Sequence, residues 1–457
     1  MAETNVTIVS TMEALLAAKR YATLRDILVT MNPSDVAAVF EDMDEAVLPL
    51  LFRLLPKELA AETFVEMEPD SQELLIRGFS DSELKEVVDE LYVDDAVDLV
   101  EEMPTNVVKR ILRSADPEMR RMINEILRYP EDSAGSIMTT EFATLRPKMS
   151  VEEALKRIRR TGVDKETINT CYVTDKGELI GAISLRTLVL SDPEDTIEDL
   201  MEPHVISVTT SEDQETVAQM FSKYNFSALP VVDTENRLVG IVTVDDAIDV
   251  LQEETTEDIE KMAAIMPSEK TYLRSSPWDL FKHRIPWLML LMVSATFTGM
   301  ILNSFENALA AQVVLTIFIP MLMDTGGNSG SQASVTVIRA LSLDELEFAD
   351  LVKVIWKEIG TAVLCGAALA LVCFGKVMLV DRLLLGNGDV TVMVAAVVCI
   401  TMALTVLVAK VVGCTLPMFA KRLGFDPAVM ASPFITTIVD ALSLLVYFGI
   451  ATALLGL

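Results

Sequence analysis

Two kinds of apolar pattern divide the chain. From residue 1 to about 130, short apolar-periodic segments recur, each opened by a polar or proline-containing start, as in "MNPSDVAAVFEDMDEAVLPLLFRLLPKELAAETFVEMEPDSQELLIRGF". Roughly ten helical residues follow each start, which predicts short stacked helices, in a small superhelical array or an ordinary bundle. From residue 283 the apolar runs are long: 285–304, 309–341, 358–380, 390–419 and 431–456. At ~1.5 Å per helical residue each crosses a hydrocarbon core of ~30 Å, so five spans are expected. The second is unusual, interrupted by Pro320 and by "DTGGNSGSQ". Glycine and small polar residues inside a span predict close helix contacts or unwound backbone lining a cavity. Asp324-Thr325-Gly326 also spells the aspartic-protease tripeptide, but the context is a membrane helix and there is no second copy to complete a dyad.

Between these regions the period changes and the sequence repeats itself. "SIMTTEFATLRPKMSVEEALKRIRR" aligns with "DLMEPHVISVTTSEDQETVAQMFSK", and "CYVTDKGELIGAISLRTLVL" with "LPVVDTENRLVGIVTVDDAIDV". Each copy predicts a strand, a helix, two strands around a turn and another helix. Met138 and Met201 occupy equivalent positions, as do Gly181 and Gly240. The pair resembles tandem cystathionine-β-synthase (CBS) repeats, about 137–199 and 200–252. Such repeats are regulatory modules that often bind adenosine compounds or ions. Their Ser/Thr-x-x-Asp pattern, which holds a nucleotide ribose, is present in the second copy as Thr243 and Asp246. In the first copy Ser184 is followed by Thr187 in the aspartate's place.

Charge sharpens the division. Residues 1–282 hold 57 Asp+Glu against 28 Lys+Arg, whereas residues 283–457 hold 11 against 9. An acidic soluble part argues for cations and against nucleic acid as partners. The five cysteines show no CxxC spacing and the two histidines, His204 and His283, lie far apart, so neither a disulfide framework nor a zinc site is indicated. No nucleophile–base pair or phosphate-cradling loop points to an enzyme. The first twenty residues lack a basic stretch leading into an apolar core and are not expected to act as a secretory signal. His283 and Arg284, then Arg339, Lys353 and Lys357, then Lys421 and Arg422 flank one side of the spans. By the positive-inside rule the N-terminus and all soluble mass face the cytoplasm and the C-terminus lies outside, in a plasma (inner) membrane.

Two acidic features remain. In "SPFITTIVDALSLLVYFGIATALLGL", Asp440 lies within a span, where an unpaired charge costs at least a few kcal/mol. Thr436, Thr437 and Ser443 form a polar stripe with it, opposite Phe434, Ile438, Leu442 and Leu445. A wet pathway or a bound cation accounts for such a carboxylate; a protonated aspartate tying helices together is the structural alternative. In "DDAIDVLQEETTEDIEKMAAI", Asp246, Asp249, Glu253, Glu257 and Glu260 recur at helical steps along one face. Like charges at that spacing oppose the helix unless cations, or simply solvent, neutralise them.

"GGNSGSQASVTVIRAL" and "GFDPAVMASPFITTIVDALSLLVYF" resemble the signature segments of the MgtE magnesium channels, and the likeness covers the whole chain. It implies a multidomain architecture: an all-α superhelical N-domain (1–132), an α/β CBS pair (133–252), a connecting plug helix (253–282) and a five-helix membrane domain (283–457). It further implies a homodimeric, Mg2+-selective uptake channel closed by cytosolic Mg2+, the alternative being a transporter that exchanges Mg2+ for Na+ or H+. Carried over by position, Asp440 and Asp426 are metal-binding pore residues. Asp95, Asp213, Glu215, Asp246, Asp249, Glu254, Glu257 and Asp258 are cytosolic Mg2+-sensor residues, and ATP is a further modulator. The sequence departs from the family pattern at Ser432, where an asparagine is expected, and at Asn225, where an aspartate is expected.

Overall fold

The computed structural model describes residues 2–456 apart from 269–271, 273, 274 and 431, with only the backbone of residues 2–7, 164 and 432. It divides into two units, residues 1–251 and 252–457.

The first unit begins with ten helices: α1 (Ala2–Ala17), six more between residues 21 and 88, α8 (Val93–Glu102), α9 (Thr105–Ser114) and α10 (Pro117–Ile126). The starts seen in sequence are real caps. Asn32, Ser80 and Asp116 accept N–H bonds from the first turns they precede, and Pro33, Pro69 and Pro117 occupy first turns, where the missing N–H costs nothing. Their apolar faces meet in one core that includes Leu24, Phe40, Leu51, Phe64, Leu75, Val97 and Ile111. Burial of this continuous face, rather than propensity, holds such short helices.

The repeats fold as two three-stranded sheets. The first has β1 (Phe142–Leu145), α11 (Val151–Thr161), β2 (Thr167–Asp175), β3 (Glu178–Ser184) and α12 (Leu185–Leu190). The second has α13 (Ile197–Leu200), β4 (Val208–Thr209), α14 (Gln214–Tyr224), β5 (Ala228–Val232) and β6 (Leu238–Thr243). In each sheet the first pair of strands is parallel and the second antiparallel. The equivalent methionines and glycines interlock the repeats. Met201 lies over Gly181 and Met138 over Gly240, so closely that a Cβ at Gly181 would stand 2.5 Å from the Met201 sulfur. Backbone bonds close the exchange: Thr139 N–H donates to Ile241 O at 2.8 Å, and Glu202 N–H to Ala182 O at 2.8 Å.

α15 (Val244–Met262) begins in the first unit and ends in the second. A connecting helix was expected over 253–282; among the described residues that range holds two helical pieces, the tail of α15, which stops where Ala264 turns left-handed at φ 55° ahead of Pro267, and the first residues of the next helix. A new helix, α16 (Pro277–Ser304), starts at a Ser276–Asp279 capping box. The second unit continues with α17 (Glu306–Ala311), α18 (Ile319–Ser342), α19 (Leu351–Lys376), α20 (Val392–Arg422) and α21 (Ser432–Leu455).

Among the described residues four stretches are long and apolar enough to cross a membrane: Pro277–Ser304, Phe348–Leu384, Val392–Arg422 and Pro427–Leu455. α18 is not one of them, because Asp324, Asn328 and Gln332 interrupt its apolar character. It is nevertheless an unbroken helix. Pro320 stands in its first turn and so breaks nothing. Its glycines serve close contacts: a Cβ would come 2.6 Å from Thr405 Cγ2 at Gly326, 2.9 Å from Thr436 Cγ2 at Gly327 and 2.8 Å from Ile435 Cγ2 at Gly330. Small residues thus let α20 and α21 approach the α18 backbone, and of the two expectations for this segment the close-contact one describes it.

Candidate functional site: an acidic path and its acidic surroundings

Asp440 sits midway along α21, half-buried, with half-exposed Thr436 and Thr437 one turn before it. Both threonine hydroxyls donate to Pro433 O, at 2.9 and 3.0 Å, which satisfies them inside their own helix. Ser443 departs from the expected stripe. It is 2% exposed and turned into the α18 contact, where its Oγ would lie 2.9 Å from a Cβ at Gly326. The 3.6-residue pitch places position +3 about 60° away from Asp440 around the helix, enough to move it from the open face to the packed one.

Asp426 lies in the segment before α21. One carboxylate oxygen accepts the Ala428 N–H at 2.7 Å and the other pairs with Lys261 at 2.7 Å. Lys261, on the tail of α15, also pairs with Glu257 at 2.7 Å. Beside it Asp258 accepts a bond from the Ser342 hydroxyl at 3.2 Å, and Met262 packs on Ile338 and Ala428. Burial and the Asp426 charge raise the Asp258 carboxyl above its ordinary range. Two of the expected sensor acids, Glu257 and Asp258, are therefore brought to Asp426. Glu254, one turn earlier on α15, is half-buried.

In the first unit α8 brings Asp94, Asp95 and Asp98 to the start of α15, where Asp245 and Asp246 lie. Burial, then Asp246 and Asp245, push Asp95 up to about 7. Burial, then Asp245, Asp95 and Asp246, push Glu166 up to about 8. Burial also dominates at Asp246, raised to about 6 against the stabilising bond from the Thr243 hydroxyl. Asp94 is 6% exposed and raised well above the carboxylate range by burial and by Asp246. Buried oxygens of Asp94 and Glu166 have no hydrogen-bond partner. Asp249 is exposed on the following turn, raised by burial, Asp245 and Glu66. Asp213 and Glu215 have local tasks: Asp213 caps α14 through the Thr216 N–H at 3.1 Å, and Glu215 accepts from Gln219 at 3.1 Å.

Sequence reasoning missed Asp94, Asp98, Glu166, Asp245 and Lys261. The doublet "VDDAVDL" in α8 carried a signal, because three acids spaced 1 and 3 apart occupy neighbouring helix positions. Glu166 carried none, since only the fold brings it to α8.

Thr243 and Asp246 hydrogen-bond to each other, so the hydroxyl and carboxylate meant for a ribose stand side by side. In the first repeat Ser184 and Thr187 pair through their hydroxyls at 2.8 Å. Asn225 is the left-handed C-cap of α14, at φ 54°, a conformation asparagine tolerates better than most residues. The side chain of Ser432 lies outside the described residues.

Among the described residues no group of three or more His, Cys, Asp or Glu is assembled as a metal cage. The donors are nonetheless hard carboxylate oxygens, and the main charged neighbours of Asp95, Glu166 and Asp246 are other acids. That suits Mg2+, which keeps several of its waters and binds through one or two carboxylates.

Three family models match in chain order: the MgtE intracellular N domain over residues 11–132, CBS domains over 134–193 and 197–253, and the MgtE divalent cation transporter over 319–450. The magnesium transporter MgtE of Thermus thermophilus is 37% identical over 451 residues, covering 98% of each chain. That of Bacillus subtilis is 33% identical, covering 94% of this chain and 93% of its own. A crystal structure of the cytosolic domain of the Mg2+ channel MgtE in complex with ATP superposes with a TM-score of 0.51 at 37% identity, covering 53% of this chain and 99% of that one. Three matched domains in order and near-complete alignment to magnesium transporters give one conclusion: the chain belongs to the MgtE family of magnesium transporters.

Proposed function

We propose that the chain is a Mg2+-selective uptake channel that works as a homodimer, its C-terminus outside and its acidic domains in the cytoplasm. The observation that carries the proposal is Asp440, half-exposed in a membrane helix beside a glycine-packed, polar α18. A second copy related by a twofold axis brings two such carboxylates to one dication and removes the exposed polar face from lipid. α18, too polar to face lipid alone, then completes a five-span domain as a path-lining helix.

Closure follows from charge. Ions bound between the α8 acids and Asp245, Asp246 and Glu166 supply the positive charge that this cluster lacks. The acids of α15, with Lys261, then hold its tail against Asp426 at the cytoplasmic mouth. When Mg2+ is scarce, repulsion among the acids loosens the assembly over distances near the Debye length of ~8 Å. The shift in population is limited by the difference in Mg2+ affinity between the two states. ATP is proposed as a modulator seated near Thr243 and Asp246, by likeness to the ATP-bound relative.

Inside-out patch recording across internal Mg2+ tests the proposal. Discrete openings that Mg2+ closes are expected. Transport without unitary currents, strictly dependent on Na+ or H+, would instead identify an exchanger.

A further inference from the structure

The contact between α18 and α21 has a definite register. A Cβ at Gly330 would meet Ile435 and Val439, one at Gly327 would meet Thr436, and one at Gly326 would meet Val439 and Ser443. Moving toward the N-terminus of α18 therefore moves toward the C-terminus of α21: the helices are antiparallel. One turn beyond the Gly327–Thr436 contact, α18 reaches Asp324 and α21 reaches Asp440. Asp324 is exposed and Asp440 half-exposed.

The surroundings of this level are polar on both sides. On the open side the Asn328 amide donates to Asp324 at 3.1 Å, one turn along, and exposed Gln332 follows another turn on. A helix facing lipid would carry apolar side chains in this row. On the packed side the Ser443 hydroxyl, in a residue 2% exposed, lies against Gly326 without a hydrogen-bond partner, next to the Thr405 methyl. Two carboxylates and an orienting amide thus share one level of the membrane domain, with an unpartnered serine hydroxyl on the packed side.

We propose that Asp324 is a second acidic residue of the ion path, sharing with Asp440 the recognition of a hydrated divalent cation. This role rests on the channel reading above. Each chain then contributes two carboxylates at one level, and a twofold pair contributes four. A dication that keeps its waters satisfies such a ring through water-mediated hydrogen bonds, without being stripped. Added negative charge raises the local concentration of dications over monovalent ions, because the Coulomb energy scales with ionic charge. Asn328 is a positioning residue that holds the Asp324 carboxylate toward the path.

The test uses the full-length protein in liposomes, with Mg2+ influx followed at graded external Mg2+ and with hexaamminecobalt(III), a hydrated-dication mimic, as blocker. Asp324→Asn is expected to raise the half-saturating Mg2+ about tenfold and to weaken the block by a similar factor, while Asp324→Glu restores most of both. If Asp324→Asn leaves saturation and block unchanged while Asp440→Asn abolishes influx, Asp324 lies outside the path and the channel reading survives. Normal influx through Asp440→Asn would instead overturn both. Should Asp324→Asn fail to fold, Asp324→Cys treated with thiol reagents gives the same decision. A cationic adduct must lower influx and an anionic one restore it; equal effects of the two refute the proposal.

Discussion

Two acidic regions of this chain solve the same electrostatic problem in opposite ways. In the first unit, the charged neighbours that weigh most on Asp95, Glu166 and Asp246 are all acids. At the tail of α15, in the second unit, the acids meet their own cation: Lys261 pairs with both Glu257 and Asp426, and Ser342 serves Asp258. On the proposed function, the first region, whose main charged neighbours are acids, is the sensor, and the second, which holds its own ammonium, is a latch that sensing biases. In that scheme the built-in ammonium closes its contact at any Mg2+ concentration, whereas the acid cluster answers to the ion.

Four experiments break or sharpen this contrast. The largest effect is expected outside both regions, at the proposed ion path. Asp440→Ala should reduce Mg2+ current at least about 100-fold in protein that still elutes as a folded species, and wild-type current would remove the path from the scheme.

The sensor comes next. Asp95→Asn combined with Asp246→Asn and Asp249→Asn should raise the internal Mg2+ for half-closure about tenfold in excised patches. An unchanged closing curve would mean that the cluster reads nothing.

A pH effect should follow in Mg2+-free buffer. Carboxyls raised in the folded state favour its protonated form. Their contribution to packing is fully present below the ordinary carboxylate range, and is lost as pH rises through about 6 for Asp246 to about 8 for Glu166. Limited proteolysis of the N-domain should accelerate across that window, and saturating Mg2+ should suppress the acceleration.

The smallest effect belongs to the latch. Lys261→Gln removes a partly exposed pair and should shift half-closure about two- to fivefold toward higher Mg2+. A shift as large as that of the sensor variant would erase the proposed division of labour.

Much of this was legible beforehand because it is local. Caps such as Ser80 and Asp116 act within three residues of themselves, and the apolar runs announce membrane helices by length and composition. The repeat made Met138 equivalent to Met201 and Gly181 to Gly240, but did not show that each methionine reaches across to the other repeat's glycine. The long-range pairings were not legible. Glu166 reaches the α8 acids only through the fold, and Lys261 meets Asp426 across 165 residues. Ser443 looked like a member of the Asp440 stripe because periodicity assigns faces of a helix, but not which neighbour covers each face.

By itself the sequence determined the order of domains, the acidic character of the soluble part and the presence of a carboxylate deep in a membrane helix. Those properties follow from composition and spacing along one chain. Tertiary structure alone decided which carboxylates face each other and which faces a lysine, and that Gly327 against Thr436 sets Asp324 level with Asp440. Electrostatic energies depend on distance and burial, and both are set only when helices far apart in sequence pack together.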